Sequence, residues 1–414
     1  MKKIIRDVLI PFFAAIMMIA NIGCSNDAVT TPVKYSETKA PRGYQVFEYL
    51  GVNGLIFDKT GEVVVSPYSM GKRSFTFTDN SAYTSYYDES GISSSFQFMS
   101  GKTVEISPFI MGQYEVTRTL FKNVMGFDPS YFQGTNYSEE FSTDKGQLRG
   151  EINFNEYNFG KDTTMPVENL SLLMVVGFCN KLSMLNGYDP VYTCSINGSV
   201  LELHKFTEAD YKDSKYSNGN FFANSLSEKI VITADFSKNG YRLPTNAEFE
   251  FAAKGGNINA PEWKYAFPGI QSTKKVNLSN SEYDALSAEE KRLYYVSGHQ
   301  IAEDDNLAEV AWYSGNSKID FTFVTPVLGY EHNEQTYPHM TGLKMPNSLN
   351  LYDMSGNVSE FTFSDKFYFV GGNYDSRACH AAIGGANAIG YSYSEGSVTP
   401  RTIGIRLCRT IVKK

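Results

Sequence analysis

Gly240-Tyr-Arg-Leu-Pro-Thr-Asn-Ala-Glu-Phe-Glu-Phe-Ala-Ala253 is the stretch from which the fold is read. Thr245 and Glu248 stand three residues apart at the head of an apolar run. In that pattern a threonine oxygen takes the amide of the third helical residue and the glutamate reaches back to the threonine amide. Phe249, Ala252 and Ala253 continue the helix, and Gly255-Gly256 stop it, because glycine takes the left-handed backbone at a helix end without steric cost. Two more helices follow from apolar residues at helical spacing. One has Leu120, Phe121, Val124 and Met125 behind Thr117, and the other has Leu172, Leu173, Val175, Val176, Cys179 and Leu182 behind Ser171 as N-cap.

Between the helices the pattern is of short strands and long polar segments. Gly54-Leu-Ile-Phe57, a turn at Asp58-Lys-Thr-Gly61 and Glu62-Val-Val-Val65 predict a hairpin, and Ser74-Phe-Thr-Phe-Thr78 predicts a strand. Residues 43–98 are therefore expected to form a small β-rich module. Residues 134–165, 193–238 and 257–305 are polar with little periodicity and are expected to be loops, present for a function or as insertions.

The chain has 414 residues, 37 Lys plus Arg against 45 Asp plus Glu, and a net charge of −8. No basic cluster appears, so no nucleic-acid partner is expected, because phosphate binding needs clustered Lys and Arg. Lys2, Lys3 and Arg6 precede an apolar run from Val8 to Ala20, which reads as the core of an export signal and is too short to span a bilayer. Asn21-Ile-Gly-Cys24 places a cysteine behind a small residue, similar to a bacterial lipobox. Residues 1–23 are expected as a signal peptide and 24–42 as a tether lipidated at Cys24. Cleavage would take three positive charges and one negative from the net −8, leaving −10. An acidic monomer anchored by acyl chains at the bacterial outer surface or outer membrane is expected. Cys179, Cys194, Cys379 and Cys408 allow three pairings and contain no Cys-x-x-Cys, which argues against a zinc ribbon or a thioredoxin-like motif.

Six blocks in order resemble the formylglycine-generating enzyme, or sulfatase-modifying factor, family. They are Phe109-Ile-Met-Gly-Gln-Tyr-Glu-Val-Thr117, Met165-Pro-Val-Glu-Asn-Leu-Ser171, Gly240 to Ala253, Asn350-Leu-Tyr-Asp-Met-Ser-Gly-Asn-Val-Ser-Glu360, Gly371-Gly-Asn-Tyr374 and Ile403-Gly-Ile-Arg406. The resemblance spans residues 99–412. It implies an α+β, C-type-lectin-like fold of short antiparallel strands, a few helices and much irregular loop. It also implies, for oxidising members, two copper-binding cysteines five residues apart. Those slots hold Ser376 and Ala381 here, with Cys379 between them, and a soft Cu(I) ion needs thiolates. No copper and no catalytic residue are expected. The five histidines contain no His-x-x-x-His pair for the family's iron-using branch. The resemblance further implies a structural calcium ion held by the side chains of Asp353 and Glu360 and the carbonyls of Gly356 and Val358. The alternative is that the two carboxylates only cap turns.

Residues 373–401 contain no Lys, Met, Gln, Trp, Leu or Phe, and 13 of these 29 residues are Gly, Ala or Ser. Tyrosine among small residues suits a recognition surface, since its ring gives large contact area at low entropy cost. The segment resembles the diversified C-terminal stretch of variable proteins from diversity-generating retroelements; a degenerate exposed loop is the alternative. Tyr374, Asp375, Ser376, Arg377, His380, Asn387, Tyr391, Tyr393 and Arg401 are the expected ligand-binding residues, for a surface protein or glycan ligand. The rival functions are a formylglycine-type oxidase with Cys379 in an altered site, and a structural lipoprotein of the cell envelope. Phe249, Phe251 and Phe361 stand where the family tends to carry Trp and are expected in the core.

Overall fold

The three expected helices start where their caps place them. The computed structural model describes residues 44–50, 56–65, 72–83, 86–87, 95–132, 165–213, 216, 230–291, 293–295, 300–325, 329–388 and 400–411. Helix α1 (Arg118–Met125) is capped by Thr117, whose oxygen accepts from Leu120 N at 3.2 Å. Helix α2 (Leu172–Leu185) is capped by Ser171 through Met174 N at 3.2 Å. Helix α3 (Asn246–Ala253) carries the reciprocal box, with Glu248 N donating to Thr245 Oγ1 at 3.1 Å and Thr245 N to Glu248 Oε2 at 2.8 Å. Each cap satisfies amides that have no partner inside the helix.

A five-stranded sheet runs in the order Tyr44–Leu50, Ile56–Val65, Phe109–Gly112, Cys408–Thr410, Tyr241–Arg242, with every pairing antiparallel. It separates two apolar cores. Leu407 faces one, with α1, α2, Phe361 and Phe369; Cys408, its strand neighbour, faces the other, with α3, Trp263, Phe98 and Phe109. A second sheet pairs Ser359–Phe363 with Phe367–Val370, adds Ala386–Ala388 antiparallel, and takes Ile403–Gly404 as a parallel neighbour.

Three expectations change. Asp58-Lys-Thr-Gly61 is not a turn: Ile56–Val65 is one strand whose backbone there pairs with Val46, Phe47, Glu48 and Tyr49 of the preceding strand. A partner along its whole length makes the extended form better satisfied than a local reversal. The described residues within 43–98 do not form a separate module. Val63 pairs with Met111 across the sheet, and Phe75, Tyr83, Phe96 and Phe98 share a core with Phe251 and Trp263. The described residues all lie in one compact unit, Ser36–Ile411. Residues 193–238 are not all loop either, since Tyr192–Ile196, Ser199–Val200 and Ile230–Ala234 form a three-stranded sheet whose partial exposure weakens any apolar signal. Cys24 and the signal segment lie outside the described residues, and among those described no helix is long and apolar enough to cross a membrane.

Candidate functional site

The C-terminal segment is held by a turn that its own side chains build. Asn373 Oδ1 accepts from Asp375 N at 2.9 Å, Ser376 N donates to Asn373 O at 2.9 Å, and Ser376 Oγ accepts from Asn373 N at 3.0 Å. Around the turn, Thr336 Oγ1 donates to Asp375 Oδ1 at 2.7 Å, Ser314 N to Ser376 O at 3.0 Å, and Tyr374 N to Asn357 O at 2.8 Å. Asp375, Ser376, Arg377, His380 and Arg401 are all half-buried, so each keeps some surface for a partner. Asn387 lies in the strand Ala386–Ala388, opposite Phe369. Tyr391 and Tyr393 fall outside the described residues.

Tyr374 differs from the expected outward role. It is 2% exposed, packs edge-to-face on Phe132 with ring centroids 5.7 Å apart, and donates its hydroxyl to Arg401 O at 3.3 Å. Burial, with the charge of Glu168 next, pushes its hydroxyl pKa well up. It fastens the segment from beneath, because a buried tyrosine needs both ring packing and a partner for its oxygen.

Sequence reasoning missed the groups under the turn. Phe132 also packs edge-to-face on Tyr337 at 5.6 Å, and the Arg401 guanidinium lies 5.3 Å from the Tyr131 ring centre. Glu168 is 1% exposed; its Oε1 accepts from Phe132 N at 3.1 Å, and no described group donates to its Oε2. The nearby Arg118 is engaged by Asp128 at 2.8 Å. The only sequence signal was that Glu168 falls in the Met165–Ser171 block.

Burial raises the Glu168 pKa well above its ordinary 4.5. The folded protein therefore holds this proton more tightly than the unfolded chain. The associated stability is full below the ordinary glutamate value and is lost as pH rises through the folded one. Stability should fall between pH 5.5 and 7.5, with one such group contributing at most about 1.4 kcal/mol per pH unit. Glu168→Gln should flatten the slope in urea unfolding at the two pH values. An unchanged slope in the variant would refute this.

Copper does not fit the residues present. Ser376 and Ala381 offer no thiolate, and Cys379, buried and donating to Gln300 Oε1 at 3.5 Å, has its thiol pushed up by burial to about 12. All four described cysteines are free.

Of the residues expected to hold calcium, Asp353 and Glu360 come together at a guanidinium, that of Arg406, which reaches the Asp353 carbonyl at 3.4 Å. Arg406 donates from Nε to Glu360 Oε2 at 2.9 Å and from Nη2 to Glu360 Oε1 at 2.7 Å. Asp353 Oδ2 accepts from Gly342 N at 2.7 Å, and its Oδ1 has no described donor. A calcium ion on Glu360 would share that carboxylate with a buried cation, so this donor set does not fit it. An unfolding midpoint that is the same with chelator and with added calcium is the expected result; a rise with calcium would contradict it.

Residues 70–410 match the sulfatase-modifying factor enzyme 1-like domain family. A curated relative, the chaperone protein LppX of Paenibacillus barcinonensis, is 28% identical over 265 residues, which are 63% of this chain and 64% of that protein, so the match spans less than two thirds of the relative. Among solved structures, Treponema denticola variable protein 1 is similar with a TM-score of 0.51 and 20% identity, over 89% of this chain and 99% of that one. PvdO from Pseudomonas aeruginosa is similar at 0.42 and 15%, over 90% and 100%.

Proposed function

We propose that this chain, which belongs to the sulfatase-modifying factor enzyme 1-like domain family, is a lipid-anchored protein of the bacterial outer surface. In this reading it binds a macromolecular or glycan ligand through its C-terminal face and performs no oxidation. Its fold is the α+β, lectin-like one of the formylglycine-generating type. The observation that carries the reading is that the segment spanning the family's thiol slots holds Ser376 and Ala381 instead. It presents half-buried Asp375, Arg377, His380 and Arg401 on a firmly packed base. Such a base suits recognition, because contact groups gain most when their supports are rigid. Asn387, Tyr391 and Tyr393 complete the proposed face, and Tyr374 supports it.

The direct test is binding of the purified protein to a glycan array and to immobilised glycoproteins. Asp375→Ala with Arg377→Ala should lower binding by roughly tenfold or more while the fold is retained, with a stability cost of about 1 kcal/mol for the lost Thr336 hydrogen bond. Wild-type binding by the double variant would overturn the face. Incubation with Cu(I) and a Cys-x-Pro-x-Arg peptide under oxygen should give no aldehyde, and aldehyde would overturn the non-catalytic reading. A neighbouring near-copy of the 3′ coding end, differing only at adenines and lying beside a reverse transcriptase gene, would support diversification of residues 373–401.

A further inference from the structure

The loop after Tyr337 reverses the usual polarity of a surface. Met340, Leu343 and Met345 are exposed at 36%, 55% and 49%. Lys344, the only Lys, Arg, Asp or Glu in residues 339–346, turns its ammonium inward, donating to Ala308 O at 2.7 Å and lying 3.8 Å from the Trp312 ring centre. The same ring stacks on His339 with centroids 3.7 Å apart.

The main chain of the loop is fixed as well. His339 N donates to Asn357 Oδ1 at 2.8 Å, Gly342 N to Asp353 Oδ2 at 2.7 Å and Met345 N to Glu309 O at 3.0 Å. Gly342 has φ +77°, and a Cβ there would stand 2.6 Å from the ring of Tyr114, which stacks on Tyr352 at 5.1 Å. Three apolar side chains are thus held outward by an anchored backbone, beside two half-buried tyrosines. Folding alone does not favour this arrangement, because exposed apolar groups and a withdrawn ammonium both have unfavourable hydration.

The patch has the chemistry of one kind of partner. Methionine, leucine and tyrosine with the charge withdrawn match the centre of a protein interface, and methionine adapts to apolar surfaces of varied shape. Its rim is acidic. Glu309 adjoins Met345 at the end of helix α4 (Asp305–Val310), Asp305 lies one turn earlier, and both are exposed. That rim repels an anionic membrane surface and, with the net charge of −8, attracts a basic one.

We infer that Met340, Leu343 and Met345 form a docking surface for a basic amphipathic segment of another protein. Its apolar side chains pack on these three residues and its Lys or Arg meets Glu309. The loop lies outside residues 373–401 but adjoins them, since Asn357 accepts from His339 N through Oδ1 and from Tyr374 N through its carbonyl. The assignment stands whether or not the C-terminal face binds a ligand.

The test is fluorescence anisotropy with the intact protein and three labelled helical peptides. One carries leucine and lysine at helical spacing, the second has glutamate in place of lysine, and the third has serine in place of leucine. Only the first should bind. Leu343→Ser with Met345→Ser should weaken it by roughly tenfold or more, and Glu309→Gln by about two- to fivefold, as for an ion pair on an interface rim. All three side chains are exposed, so the variants should fold with little change in unfolding midpoint. No binding of the leucine–lysine peptide, equal binding of all three peptides, or wild-type binding by the folded variants would overturn the proposal. Loop-dependent binding to phosphatidylglycerol vesicles in place of the peptide, or a loop-dependent dimer in sedimentation, would also overturn it by giving the surface to a membrane or to a second copy.

Discussion

Replacing Arg406 with alanine is expected to destabilise the protein by about 3–5 kcal/mol, the usual cost of removing one partner from a buried ion pair. Arg406 is fully buried and meets more than Glu360: Nη1 donates to Gly112 O at 3.1 Å and Gln113 O at 2.9 Å, and Nη2 to Tyr352 O at 2.8 Å. Burial raises the pKa of Asp353, to about 6, and of Glu115, which accepts from Asn357 Nδ2 at 2.6 Å and Val358 N at 3.1 Å, and the Arg406 charge offsets part of both rises. Without the guanidinium, three buried carboxylates and several carbonyls lose their donor or counter-charge. The deficit should shrink as pH falls, because protonation removes the uncompensated charges. Arg406→Lys should not recover the full loss, since an ammonium cannot reproduce a fork that serves a carboxylate and the carbonyls of two backbone segments at once. Urea unfolding at pH 7.5 and 5.5 measures both effects, and a loss below about 1 kcal/mol for Arg406→Ala would contradict the account.

Gly356→Ala should be comparably damaging for a different reason. Gly356 has φ +76°, and a Cβ there would stand 2.1 Å from Trp312 O. That oxygen accepts from Asn357 N at 2.7 Å, while Gly356 N donates to Gly371 O at 2.8 Å, so neither chain can retreat without losing a main-chain hydrogen bond. Left-handed strain of about 1–2 kcal/mol adds to overpacking of about 1–3 kcal/mol. Gly101→Ala separates the two contributions: its φ is +82° with nothing within 4 Å of the Cβ, so only the strain should appear. Unfolding midpoints of the two variants provide the comparison. Equal losses would show that the Trp312 contact does not matter.

The features legible in advance were those written within a few residues of each other. Thr117, Ser171 and Thr245 could be read as caps because a cap and its amide are separated by three residues. Gly255 and Gly256 do take positive φ at 74° and 63°. Features that depend on distant partners could not be read. The extended backbone at Asp58–Gly61 needs the strand before it, and the burial of Tyr374 needs Phe132, which is separated from it by more than half the chain. Glu360 and Arg406 each fell within a recognisable block, yet nothing local says that one neutralises the other across 46 residues. That Glu248 is matched by a cation and Glu250 is not becomes legible once Arg242 and Lys254 have both been placed.

The sequence by itself therefore determined the helix starts, the family blocks, the loss of the thiol pair and the composition of the C-terminal segment, all properties of residue identity and short spacing. Only the tertiary structure decided which carboxylates are matched by cations and that Tyr374, among the segment's described side chains, is buried. It alone joined the described residues within 43–98 to the main core. Those outcomes depend on desolvation and on partners far apart in the chain, and both arise when strands and loops close over one another.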